Sequence, residues 1–279
     1  MPIHVVPKPY STKFRLVNDQ SAGTFSLNSM IRLEAVRGAV LDGIPALGNV
    51  LRRARTRHGP DVHFVLWKSD VPQAYRQLPV AKHWQICQVV TIDGARHVDR
   101  CNLFGGRASL RVFSAFNCLV HWIAMEKAGV GDFVNYVDDD AGIALLNDVQ
   151  WYAPYQMYLP TPQARLLTLW DDIGILHEKH KQLTGLALPY IGFLVDPNTM
   201  SVTLPTDARN KLLDAIHDFI QILHGNRRRS LADFQAFAGY VNWALNVFPL
   251  LRPALASVYD KMSGKSKRRA SIYVNAAIH

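Results

Sequence analysis

Apolar positions along the chain follow two rhythms. From about residue 20 to about residue 200, apolar runs of strand length are interleaved with stretches at helical spacing; beyond 204 the helical spacing dominates. The first part predicts a mixed region with antiparallel strands. Residues 3–6 and 13–17 form a hairpin about a Pro-Lys-Pro turn region. Ser26 caps a helical pattern through Met30, Ile31, Leu33 and Val36, and a second helix runs over 44–58 until Gly59-Pro60 stops it. An apolar strand at 63–67 leads to Asp70 and a short helical segment at 74–77. Strands at 84–90 and 97–103 flank the turn signal Asp93-Gly94. Residues 110–128 predict a long helix in which Val112, Phe113, Phe116, Leu119, Val120 and Ile123 share an apolar side. Thr161-Pro162 opens another helix, which Gly174 ends. Strands at 188–193 and 201–203 precede helices at 206–224, 230–248 and 255–262, and the polar, basic run 263–269 is expected to be mobile.

The stretch 133–146 breaks this pattern. Phe133-Val134-Asn135-Tyr136-Val137 and Ala141-Gly142-Ile143-Ala144-Leu145-Leu146 flank Asp138-Asp139-Asp140, a hairpin with three acids at or near its turn. Anions packed side by side on an element with buried flanks repel one another unless cations neutralise them. An exposed Asp-rich turn is the competing explanation. The strand ending near Asp70 supplies a second carboxylate-bearing element. Together Asp70, Asp138 and Asp139 could hold two Mg²⁺ or Mn²⁺ ions about 4 Å apart with coordination positions left for phosphates. Alternation points Asp140 away from that group, towards solvent.

Composition and charge narrow the partners. The 279 residues are 49% hydrophobic and 19% charged, which suits one large domain or two small ones, and the formal net charge of +9 points to a polyanion. Basic clusters lie at 52–57, 227–229 and 265–269. Three cysteines without metal-ligand spacing argue against a disulfide framework or zinc ribbon and for a reducing compartment. No apolar run reaches the ~18 to 20 residues that span a bilayer, and the start lacks the organisation of a secretion signal, so an intracellular location, nucleus or cytoplasm, is expected. Met1-Pro2 leads almost at once into the first strand without a segment to cover its edge, a pattern expected where an upstream portion is missing.

Other residues carry paired readings. Tyr75, five residues after Asp70, could border a bound substrate and exclude a 2′-hydroxyl, or be an ordinary core tyrosine. Arg76 is a phosphate contact or a surface charge. Phe104-Gly105-Gly106-Arg107 permits close backbone approach to a ligand, or is a tight turn into a helix. Lys181 or Lys179 could protonate a leaving pyrophosphate, or decorate a charged turn. Metalloprotease and Gly-x-Ser-x-Gly hydrolase patterns are absent.

Taken together these motifs resemble the reverse transcriptases, the RNA-directed DNA polymerases of retroelements. Asp70-Val71-Pro72-Gln73-Ala74-Tyr75-Arg76-Gln77 is similar to the family's first carboxylate motif with its sugar-discriminating aromatic, and Tyr136-Val137-Asp138-Asp139 to its catalytic hairpin. Phe104 to Ser109 resembles the nucleotide and template loop, Lys181 falls at the family's lysine, 188–193 looks like the primer grip, and Lys13 and Arg15 match the ribbon that contacts the incoming triphosphate. The proline that usually precedes the glycine loop is missing, since Cys101-Asn102-Leu103 stands before Phe104, and the fingers are short.

The resemblance implies an α+β right-hand fold. Residues 1–203 would form short fingers and an antiparallel palm sheet, 204–262 a helical thumb and connection, and 263–279 a basic tail. It implies catalysis by Asp70, Asp138, Asp139 and Lys181, substrate binding by Lys13, Arg15, Tyr75, Arg76, Phe104, Gly105 and Arg107, two Mg²⁺ or Mn²⁺ ions, and an RNA/DNA template-primer with deoxynucleoside triphosphates as partners, away from any membrane. No ribonuclease H, integrase or protease pattern follows, so the chain is expected to be a fragment of a retroelement polyprotein or a minimal or decayed copy that retains a palm. The competing functions are a catalytically inactive nucleic-acid-binding remnant and a two-metal nuclease.

Overall fold

The computed structural model describes residues 1–7, 14–221, 228–275 and 278. It divides into two compact units, Met1–Leu188 and Pro189–His279.

The first unit is built on a four-stranded antiparallel sheet in the order Leu183–Gly185, Phe64–Asp70, Asp139–Leu145, Phe133–Tyr136. Pairing of the two central strands sets Ser69 opposite Asp140, Trp67 opposite Gly142 and Val65 opposite Ala144. The pleat turns these residues to one face, which packs against the helices Ser109–Glu126 and Thr161–Ile173 in a core of Val65, Trp67, Phe113, Phe133, Leu166 and Trp170. Glycine is required at 142, because a Cβ there would lie 2.5 Å from the Trp67 ring. The opposite face begins with Phe64, which meets two residues of the helix Ile44–His58: the Arg55 guanidinium lies 4.6 Å above its ring and His58 stands edge-on to it. Further along that face come Lys68 and Asp70.

Two helix ends follow their glycine signals, whereas the helix expected over 230–248 ends at Ala244, and of the one expected over 206–224 the described part is Thr206–Ile220, with 222–224 outside the described residues. Gly59 and Gly174 close their helices with positive φ, at 90° and 75°. The Asp93-Gly94 turn also forms, but its strands are Val89–Ile92 and Ala95–Val98, shorter than expected, and Lys82–Gln85 is helical. The pattern expected as one helix after Ser26 forms two short pieces, Leu27–Met30 and Leu33–Val36, separated by extended backbone at Ile31 and Arg32. The helix Ser109–Glu126 buries Phe113 and Val120 but leaves Val112 and Leu119 about half exposed, so its apolar side is narrower than its sequence suggests. A hairpin of Val149–Tyr152 and Met157–Pro160 was not anticipated. Ile3–Pro7 and Phe14–Asn18 pair as expected.

The second unit contains a three-stranded sheet of Leu188–Tyr190, Phe193–Asp196 and Ser201–Thr203. The single strand expected at 188–193 is interrupted by positive φ at Ile191 and Gly192, and Phe193 stacks on Trp243 at 4.8 Å. The helices Thr206–Ile220, Leu231–Ala244 and Ala256–Met262 enclose a core of Phe219, Leu231, Phe234, Leu255 and Val258. Ser230 caps the middle helix in a capping box with Asp233, whose carboxyl the Ser230 hydroxyl and backbone N–H hold below the usual carboxylate range. Within the segment 263–279, expected to be a mobile tail, Ser271–Tyr273 is a strand paired with Arg228–Ser230 and Ile272 is buried in the core. No helix among the described residues is long and apolar enough to cross a membrane.

Candidate active site

The hairpin forms as its sequence dictates. Phe133–Tyr136 and Asp139–Leu145 are joined by Val137 and Asp138, with Val137 at φ 62°. A β-branched residue in the left-handed region is strained by roughly 1 to 3 kcal/mol. Side-chain amides hold it there. The Val137 carbonyl accepts from Asn117 Nδ2 at 3.0 Å and from Asn135 Nδ2 at 3.3 Å. Asn135 is fixed in turn by Asp42, whose carboxylate accepts from the Asn135 N–H and whose N–H donates to the Asn135 carbonyl.

The turn sets its acids beside Asp70. Asp70 is the register partner of Asp139, and the Val71 N–H donates to the Asp138 carbonyl at 3.0 Å. Side chains of antiparallel partners stand on one face with Cβ atoms roughly 5 Å apart. Burial pushes both Asp138 and Asp139 above the usual carboxylate range, and the Asp70 charge pushes each further the same way. Two ammonium groups oppose this. Lys181 ion-pairs with Asp70, and Lys68 Nζ lies 2.9 Å from Asp139 Oδ1.

Asp140 departs from expectation. Alternation does turn it from Asp139, but towards the helix-covered face and not towards solvent, so that it is 2% exposed. Burial pushes its carboxyl up to about 8 against the hydrogen bond from Asn135 Nδ2 at 2.8 Å.

The other sequence candidates have distinct places. Tyr75, in the single helical turn Ala74–Gln77, packs its ring 4.8 Å from Phe104 and 5.5 Å from Phe113. Burial raises its hydroxyl pKa, and the Asp138 charge adds to the rise, which puts Tyr75 within electrostatic reach of the acids. Arg76 pairs with Asp99 at 2.5 Å. Phe104 is half exposed, Gly105 has φ 88°, and Arg107 gives its backbone N–H to Asn28 and its guanidinium to the Ile31 carbonyl. Arg15 lies on the strand Phe14–Asn18, and Lys13 falls outside the described residues. Lys179 donates to the Tyr155 carbonyl at 2.8 Å.

Several positioning residues were not singled out from sequence. Lys68 could have been, because it stands two residues before Asp70 on the same strand. Asn28 ties down the glycine loop by bonding the Gly105 carbonyl as well as the Arg107 N–H. Gln77 grips the loop that carries Lys181, accepting from the Leu176 N–H at 2.9 Å and donating to the Leu176 carbonyl at 3.0 Å. His177, on that loop, bonds Asp171 at 2.9 Å and Tyr155.

The donor chemistry suits a hard divalent cation: three carboxylates within electrostatic reach of one another, two of them with ionisation opposed by burial. Among the described residues no group of three or more His, Cys, Asp or Glu side chains is disposed to hold a metal ion. Lys181 and Lys68 engage Asp70 and Asp139 instead.

A mixed helix-and-sheet fold organised about a carboxylate hairpin has clear structural neighbours. Three are foamy viral protease-reverse transcriptases: one, described as dRH, in complex with double-stranded DNA, one with an RNA/DNA hybrid and one with double-stranded DNA. Their TM-scores are 0.63, 0.60 and 0.65 at 18%, 17% and 18% identity, over 99% of this chain in each case. The chain has a reverse-transcriptase-like fold. It spans less than half the length of each neighbour, 41%, 31% and 48%. No family model and no curated protein sequence matches it.

Proposed function

We propose that the chain is an RNA-directed DNA polymerase that joins deoxynucleotides to a primer 3′-hydroxyl, with Asp70, Asp138 and Asp139 as ligands for Mg²⁺ or Mn²⁺. The observation that carries this reading is the register of Asp70 on Asp139, beside the strained turn bearing Asp138, with Lys181 drawn onto Asp70 across 111 residues of sequence. The fold supports it, as do the nucleic acids held by the structural neighbours. In the right-hand arrangement proposed, residues 1–203 are fingers and palm, 204–262 thumb and connection, and 263–279 a basic tail.

Two cations bound by the three carboxylates would lower the pKa of the attacking hydroxyl and balance charge on the leaving group. The primer 3′-hydroxyl gives its proton to solvent water as its oxygen bonds to the α-phosphorus and the bond from that phosphorus to the bridging oxygen breaks, and Lys181 gives a proton to the departing pyrophosphate. Tyr75, braced by Phe104 and Phe113, lies under the sugar and excludes a 2′-hydroxyl. The backbone at Gly105 admits the nucleotide closely beside Phe104. Phosphate binding is assigned to Lys13, Arg15 and Arg107 on the family resemblance, and to Arg76 once it leaves Asp99.

One observation favours a second reading. Lys68 already neutralises Asp139 at 2.9 Å, as expected of a nucleic-acid-binding remnant without turnover. A 5′-labelled primer annealed to an RNA template separates the readings. In Mg²⁺ or Mn²⁺ with deoxynucleoside triphosphates the polymerase lengthens the primer. A bound primer of unchanged length contradicts the polymerase and supports the remnant, while shortening without nucleotides identifies a two-metal nuclease.

A further inference from the structure

The polar end of the sheet holds a cation that the reaction above does not use. Lys68 precedes Asp70 by two residues, so the pleat turns both side chains to the same face. Its register partners are Leu183 on one neighbouring strand and Ala141 on the other, and the small Ala141 side chain leaves the Lys68 stem room to reach diagonally to Asp139. The Lys68 and Asp139 side chains are 18% and 21% exposed, which limits solvent screening of the 2.9 Å pair. Lys181 carries the second ammonium group near these acids, and its ion pair is with Asp70.

A divalent cation and an ammonium group seek the same carboxylate oxygens and repel each other at contact distance. We propose that Lys68 is a resident counter-cation of Asp139, which a divalent ion must displace before Asp139 can act as a ligand, so that Lys68 sets the metal concentration the site requires. This rests on reading Asp70, Asp138 and Asp139 as metal ligands, and it adds a competitor built into the same strand. Removing the ammonium leaves Asp139 without its compensating charge and open to the metal. Lys68→Arg keeps the charge and offers a fork that pairs with a carboxylate at least as well.

The test is Mn²⁺ binding to the full chain, without nucleotide or nucleic acid, followed by electron paramagnetic resonance of the free ion. Lys68→Met is expected to bind Mn²⁺ about tenfold more tightly than the wild type, equivalent to ~1.4 kcal/mol. Lys68→Arg should bind no more tightly than the wild type, and Asp138→Asn should bind much more weakly. If circular dichroism shows Lys68→Met unfolded, Lys68→Gln takes its place. Equal affinity of the neutral variant and the wild type, with loss in Asp138→Asn, overturns the role of Lys68 and leaves the metal-site reading standing. Wild-type affinity in Asp138→Asn, or no binding by any folded variant, overturns the metal-site reading and the competitor with it.

Discussion

Tyr75 is held by its neighbours more than by its own short helical turn. Phe104 and Phe113 fix the plane of the ring, and the Asp138 charge reaches its hydroxyl. A ring so braced resists displacement by a 2′-hydroxyl, whereas a methyl group leaves space for it. Tyr75→Ala is therefore expected to raise ribonucleotide incorporation relative to deoxynucleotide incorporation by about tenfold or more, of the order of one lost steric or packing contact. Competition between the two nucleotides at a single template position measures this, and an unchanged ratio would remove Tyr75 from sugar selection. Residues whose chemistry is concentrated in one place, such as Asp70, Asp138 and Asp139, are legible in the amino-acid sequence itself. Asn28, Gln77 and Asn117 are not, because each acts on the backbone of a segment distant in sequence and local pattern carries no trace of that. Lys68 is within reach of strand alternation alone.

At the scale of elements, the acidic hairpin shows what alternation can and cannot decide. It separates Asp139 from Asp140 correctly, but the face receiving Asp140 is covered by helix, and only the tertiary fold determines that cover. The consequence is a pH dependence of stability. An Asp ordinarily titrates near 3.8, and in the folded hairpin burial pushes Asp140 up to about 8, with the charges of Asp139, Asp138 and Asp42 adding to the rise. Between those values folding takes up a proton. The contribution of Asp140 is full in acid and is lost as pH rises through about 8. Asn at this position keeps an acceptor for Asn135 and cannot ionise. In buffer containing EDTA, the melting temperature of the wild type should fall more steeply between about pH 5 and pH 8 than that of Asp140→Asn; parallel profiles would contradict this assignment. Other misreadings at this scale share one cause. The Val149–Tyr152 and Met157–Pro160 hairpin turns through a helical turn at Ala153–Tyr155 and a left-handed Gln156, with neither Gly nor Asn-Gly to announce it. The strand expected at 188–193 is broken at Ile191, whose positive φ its β-branched side chain conceals.

Across the whole molecule, the +9 charge implies a polyanion, yet the strongest basic cluster is partly engaged within the protein. Arg55 donates to the carbonyls of Gly59, Pro60 and Val62, and Arg53 pairs with Asp132. Charge counting thus sets an expectation about the class of partner without singling out the side chains that would meet it. The helical character after 204 is visible in hydrophobic rhythm, because helix and strand periods differ over any window of a dozen residues; the boundary between the two compact units falls after Leu188 and not at 203, and rhythm does not mark it because the strands up to Thr203 have the same period as those before them. The central claim concerns the three carboxylates, and one paired measurement tests it most directly. Duplex affinity and the rate of adding one deoxynucleotide to a primer on an RNA template are determined together for the wild type and for Asp138→Asn, at equal occupancy of the duplex. The substitution is expected to leave affinity within about twofold and to lower the rate by about a thousandfold, the order of effect expected when charge stabilisation at the reacting phosphorus is lost. Equal rates in the two proteins would contradict it.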